Sequence, residues 1–152
     1  MERPGFWYCL PHTAKLVAYN AFCRFTKTEG SFNGHKFIFE VADTIPKRRL
    51  GLSFRKGLDD GCGMLFIYPK FRPHVVWMMN MRFGIDILWL DERKKIVYMA
   101  QNAPRSYSWS DFALYDPKPK SKYVIELQEG TIKKHKIKIG SKIKFQIDGN
   151  PN

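Results

Sequence analysis

The apolar residues of this chain arrive in short runs, each stopped by glycine, proline or a polar cluster, and that punctuation constrains the fold more than any other feature. The runs fall at 36–41, 64–68, 75–79, 85–90, 95–99, 123–127 and 142–147. Within 36–41, Phe37, Phe39 and Val41 alternate with Lys36, Ile38 and Glu40, the period of a strand with one buried face. Asn33-Gly34 stands before this run as a hairpin turn would, and Glu29-Gly30-Ser31 reads as a breaker. Residues 85–90 and 95–100 flank the polar turn Asp91-Glu92-Arg93-Lys94 and predict an antiparallel hairpin. The proline-containing stretch 69–73 is expected to end the strand at 64–68. Helical signals are few. Asp43 or Thr44 can cap a short helix from about Ile45 to Gly51, with Pro46 in its first turn. Gly130-Thr131 opens a helical turn through Lys136. Such elements leave little room for βαβ crossovers. The expected fold is mainly β, at the margin of α+β: a curved, mostly antiparallel, barrel-like sheet with one or two short helices.

A chain of 152 residues suits one compact domain, expected to span 1–152. Residues 1–14 read as an irregular lead-in, 15–25 are ambiguous with Leu16, Tyr19, Phe22 and Cys23 on a helical stripe, 103–122 are weakly patterned, and 148–152 should fray. Cys9, Cys23 and Cys62 form no CxxC pair, so neither a zinc ribbon nor a thioredoxin-like motif is expected. Whether Cys9 and Cys23 form a disulfide stays open at this level. Phe6–Leu10 is too short for the apolar core of a signal peptide, and no apolar run reaches 18 residues. The expectation is a cytoplasmic protein without a membrane span.

Charge is the strongest compositional signal. Lys and Arg number 26 against 14 Asp and Glu, a net charge of +12. Residues 118–152 contain nine lysines, no arginine and three acids. Lysine is a hydrated point charge, whereas arginine carries the rigid fork suited to base edges. This end can therefore attract a polyanion without reading its sequence, or simply keep the surface solvated. The nucleic-acid reading rests on Lys133, Lys134, Lys136, Lys138, Lys142 and Lys144. Alternation of Lys136 and Lys138 with Ile137 and Ile139 predicts a basic stripe, and aromatics between 107 and 115 could stack on bases.

Four pieces of the chain, in series, resemble the family called domain of unknown function 192. They are Val41-Ala42-Asp43-Thr44 with Arg49, Gly51-Leu52, Arg55 and Leu58; Gly63-Met64-Leu65-Phe66; Trp77-Met78 with Asn80-Met81, Phe83 and Ile85-Asp86-Ile87; and Tyr123–Leu127 followed by Gly130, Ile137 and Gly140. Together they cover about 36–147. The resemblance implies a compact β-rich prokaryotic domain with short helices and no established catalysis, cofactor or substrate. Met79, Gly84 and Ser141 stand where that pattern more often has lysine, proline and aspartate, so a site using that lysine or aspartate would lack it here.

Two carboxylates lie inside apolar strands: Asp86 between Ile85 and Ile87, and Glu126 between Ile125 and Leu127. A buried, unpaired carboxylate is costly, so Asp86 should meet Arg49, Arg55 or Arg82, or face water. An arginine–aspartate network would also involve Asp43. Asn80 can hold a turn or a ligand, and Trp77 can be core or an apolar wall. The leading functional expectation is a non-catalytic binding module whose polar groove takes a small polar or anionic ligand at Arg49, Arg55, Trp77, Asn80 and Asp86. Electrostatic nucleic-acid binding by the lysine-rich end is one alternative. A hydrolase using Asp86 and Glu126 as a carboxylate pair is the other. No cofactor or metal is expected, because His12, His35, His74 and His135 show no ligand spacing. Oligomeric state is not legible.

Overall fold

The computed structural model describes residues 24–106 and 112–147. The expectations for the lead-in, Cys9, Cys23, His12, Tyr107, Trp109 and the tail at 148–152 lie outside the described residues. Among the described residues, nine strands run in the order β1 Thr26–Phe32, β2 His35–Ala42, β3 Cys62–Arg72, β4 Val76–Trp77, β5 Ile85–Leu90, β6 Ile96–Ala103, β7 Leu114–Tyr115, β8 Ser121–Gln128 and β9 Lys144–Phe145. Two short helices of the same described residues, α1 Ile45–Leu50 and α2 Thr131–Lys134, interrupt them.

Seven strands form one sheet in the order β6-β5-β8-β3-β2-β1-β9, and β4 pairs with β7 in a separate ribbon. All pairings are antiparallel except β2 with β3. That parallel pair is the exception in a sheet expected to be mostly antiparallel: residues 43–61, carrying α1, are long enough to return the chain to the same end of the sheet. The sheet curls so that residues 140–145 touch both of its edges. Gly30 and Ser31 of β1 pair with Phe145 and Lys144, while Ile143 N donates to Lys94 O and Ile96 N to Ser141 O. The result is the curved, largely antiparallel sheet expected from the short runs.

Local chemistry explains most boundaries. Asn33 and Gly34 both take positive φ, 48° and 81°, and close the β1–β2 hairpin. Thr44 caps α1 by accepting from Lys47 N, and Gly51 ends it at φ 50°. Glu29-Gly30-Ser31 is not a breaker but part of β1. A side chain at Gly30 would collide with the Phe39 ring and crowd the Lys144 carbonyl, so glycine is there for close approach. The chain also continues through Pro69 to Arg72 within β3, after a register shift against β8. Of the run 75–79 only Val76–Trp77 is strand, and of 142–147 only Lys144–Phe145.

Alternation along each strand divides the core into two faces. Inside the curve lie Phe37, Phe39, Leu65, Leu88, Ile125 and Leu127, closed by Ile132, Ile137, Ile143 and Phe145. On the outer face lie Met64, Phe66, Ile87, Trp89 and Val124, covered by Leu52, Val76, Met78 and Met81.

Candidate functional site

Asp86 is on the inner face, paired in register with Leu127, and fully buried. Its Oδ1 accepts from Asn102 N at 2.9 Å and its Oδ2 from Ile132 N at 2.7 Å. Both oxygens thus serve the backbone. The expected arginine partner is replaced by two main-chain donors, and a ligand cannot reach this carboxylate without displacing them. Glu126 is on the opposite face, in register with Met64 and Ile87. The carboxylate pair imagined for hydrolysis is therefore split by the sheet itself and cannot flank one bond.

The remaining predicted residues scatter over the outer side. Arg55 forms a bidentate pair with Glu40, Nη1 to Oε1 at 3.0 Å and Nη2 to Oε2 at 2.6 Å. Asp43 is taken by Lys47 Nζ at 2.9 Å, so the expected arginine–aspartate network has different members. The turn at Asn80, with φ 60°, is held against the segment after α1: Phe54 N donates to Asn80 O, and Ser53 Oγ to Met79 O. Asn80 thus stands beside the Arg55 segment and has the turn geometry anticipated for it. Arg49 is exposed, and Trp77 is half-exposed opposite Leu114 on the small ribbon.

One polar cluster on this face was only faintly legible. Glu40, Met64 and Glu126 lie side by side across β2, β3 and β8, placing the backbones of the two acids two strands, about 9–10 Å, apart. Arg55 pairs with the first and attracts the second. Burial pushes the Glu126 carboxyl up to about 8, and Arg55 opposes that shift only in part. Among the described residues none donates a hydrogen bond to it. Tyr68 is pushed up to about 12, by burial first and the Glu126 charge second. Arg48 lies over the Tyr68 ring at 5.4 Å, and His74 stacks with it at 3.6 Å between centroids.

An open concavity lies elsewhere, where the two edges of the sheet approach. This groove of about 790 Å³ is bordered by Lys27, Lys36, Arg93, Lys94, Lys142 and Lys144, with Glu29 the acidic side chain among them. Three parts of the chain supply the cations: the β1–β2 hairpin, the turn before β6, and the final strand segment. Lys94 is fixed, donating to Phe145 O at 2.7 Å and lying 4.6 Å over the Phe145 ring. The other five are exposed.

Only Lys142 and Lys144 of the six predicted nucleic-acid lysines reach this groove. Lys134 is paired with Asp60 at 2.8 Å. The predicted 136–139 stripe does not form, because Lys136 turns at φ 54° and the segment is not a strand; Ile137 is buried while Ile139 is exposed. Tyr115 packs against Trp89 rather than standing free to stack. Sequence reasoning missed Lys27, Lys36, Arg93 and Lys94 because they are distant in the chain and meet only on closure. Among the described residues no group of three or more His, Cys, Asp or Glu could hold a metal ion, and no helix is long and apolar enough to cross a membrane.

Known proteins share this architecture. A UPF0127 protein of Pyrococcus abyssi is 29% identical over 109 residues, covering 70% of this chain and 84% of its own length. A UPF0127 protein of Pyrococcus horikoshii is 29% identical over 110 residues, covering 69% and 84%. The crystal structure of a candidate transcription regulator from Sinorhizobium meliloti superposes with a TM-score of 0.74 at 26% identity, over 81% of this chain and 96% of that one. A protein of unknown function from Novosphingobium aromaticivorans has the same fold, with a TM-score of 0.69 at 22% identity over 82% and 87%. The family model for DUF192, described as an uncharacterized ACR, matches residues 26–145, from the first strand to the last. This chain belongs to the DUF192 family.

Proposed function

We propose that the protein is a non-catalytic binding module that holds the phosphate backbone of a nucleic acid in the basic groove. The carrying observation is the convergence of six cations around one open concavity containing one carboxylate. Five of the six are lysines, which attract phosphate charge without imposing the planar geometry of base readout. The aromatic ring in the lining, Phe145, is buried, so the groove offers phosphate contacts and no stacking platform. Binding of this kind is sequence-tolerant and strongly salt-dependent. The resemblance to the Sinorhizobium meliloti protein, itself described as a candidate transcription regulator, agrees with this reading.

The small polar ligand anticipated around Arg49, Arg55, Trp77, Asn80 and Asp86 has weaker support. Asp86 is committed to backbone amides and Arg55 to Glu40.

The test is a titration with single-stranded RNA, single-stranded DNA and duplex DNA of mixed sequence at several salt concentrations. Association should weaken linearly on a log–log plot, with a slope of about −2 to −4.5 for three to five phosphates neutralised. The triple variant K36Q/K142Q/K144Q alters exposed side chains and should keep the fold. It should flatten that slope by about 2 to 3. Absence of binding at low salt, or an unchanged slope in the triple variant, would remove the groove as the binding surface.

A further inference from the structure

The imidazoles of His35 and His135 meet away from both the basic groove and the Arg55–Glu126 cluster. His35 opens β2 beside the hairpin turn, and His135 ends α2. Their ring centroids are 4.5 Å apart with an interplanar angle of 62°. Phe37 packs edge-on against His135 at 5.3 Å and fixes that ring. This spacing suits a shared ion. Ring nitrogens bind a transition ion at about 2.0–2.1 Å, which puts each ring centre about 3.2 Å from the metal; two rings at 90–110° then have centres about 4.5–5.2 Å apart.

Asp60 is engaged by two contacts to Lys134, at 2.9 and 2.8 Å, which leaves the two imidazoles as the ligands. We propose that His35 and His135 together bind a divalent transition-metal ion, with water completing its coordination. Paired imidazoles with no thiolate or carboxylate favour the copper-to-zinc end of the first transition series. Such an ion would add a coordinate link to the ring contacts that already join the start of β2 to the end of α2.

The test titrates the full-length chain with Cu²⁺ alone and with Zn²⁺ alone at pH 7.5, following the histidine ring-proton resonances and the thermal unfolding midpoint. One ion per chain should bind, perturbing two of the four histidine signals together and raising the midpoint. Affinity should fall as the solution is acidified, because protons compete with the metal for imidazole nitrogen. H35Q alters an exposed position and should weaken binding at least tenfold while abolishing the rise in midpoint; H135Q should do the same. No saturable binding up to millimolar metal would overturn the proposal. So would binding that survives both substitutions undiminished.

Discussion

Glu126→Gln is expected to make the protein more stable than the parent above pH 8 and nearly equal to it near pH 5. Glu126 is buried among Met64, Ile87 and their neighbours, and its carboxyl is pushed from an ordinary 4.5 up to about 8. The folded chain therefore holds this proton more tightly than the unfolded chain does. The stability so contributed is complete below about 4.5, declines as pH rises, and is gone once pH passes about 8. At about 1.4 kcal/mol per pH unit the window is worth several kcal/mol, with about 5 as the ceiling. Glutamine has the same shape and does not titrate, so the parent-minus-variant difference should carry this slope. His74 and His135, both pushed down by burial, titrate in the parent and the variant alike and cancel. Urea unfolding at pH 5, 7 and 8.5 measures the difference; one independent of pH would mean that Glu126 is already ionised in the folded chain.

Arg55 explains why burial prevails. Both of its terminal nitrogens are spent on Glu40, so Glu126 receives attraction across the face of Met64 without a hydrogen bond. Glu40→Gln should return Arg55 to Glu126 and shift the pH window downward. The Glu126 side chain thus reports how the cation is shared.

Local signals were readable wherever short-range chemistry decides. Asn33-Gly34 marks a turn that requires two positive φ values, and Thr44 with Pro46 marks a helix start whose donors need a cap. The hairpin of β5 and β6 follows from apolar runs around a polar turn. Long-range decisions were not readable. Asp86 and Glu126 look alike in sequence, an acid between two aliphatics, yet the register of β5 against β8 sends them to opposite faces. Gly30 read as a breaker because the ring that needs its missing side chain belongs to the neighbouring strand. The basic groove escaped notice for the same reason: its cations come from three segments that meet only when the curved sheet brings its edges together. Of the lysines after residue 118, only Lys142 and Lys144 border that groove.

Asp86 should prove to be the most costly polar side chain to replace. At β6, residues 101 and 102 face the single residue 86, since Ile85 pairs with Ala103 and Ile87 with Ala100. That bulge turns Asn102 to φ 52° and leaves its N–H pointing inward, where Asp86 Oδ1 receives it. The other oxygen takes Ile132 N, in the first turn of α2, a helix whose own N-cap, Gly130, has no side chain to offer. One carboxylate therefore satisfies a bulge and caps a helix. Alanine would leave two donors without acceptors in a fully buried site and open a cavity, a loss of about 3–5 kcal/mol. Asparagine keeps the volume but offers one acceptor oxygen and turns an NH₂ toward the second N–H, a loss of about 2–4 kcal/mol. Both variants should speed amide hydrogen exchange at Asn102 and Ile132 ahead of the remaining core. D86N within about 0.5 kcal/mol of the parent, with exchange unchanged at those two amides, would show that the carboxylate is not what holds the bulge and the helix in place.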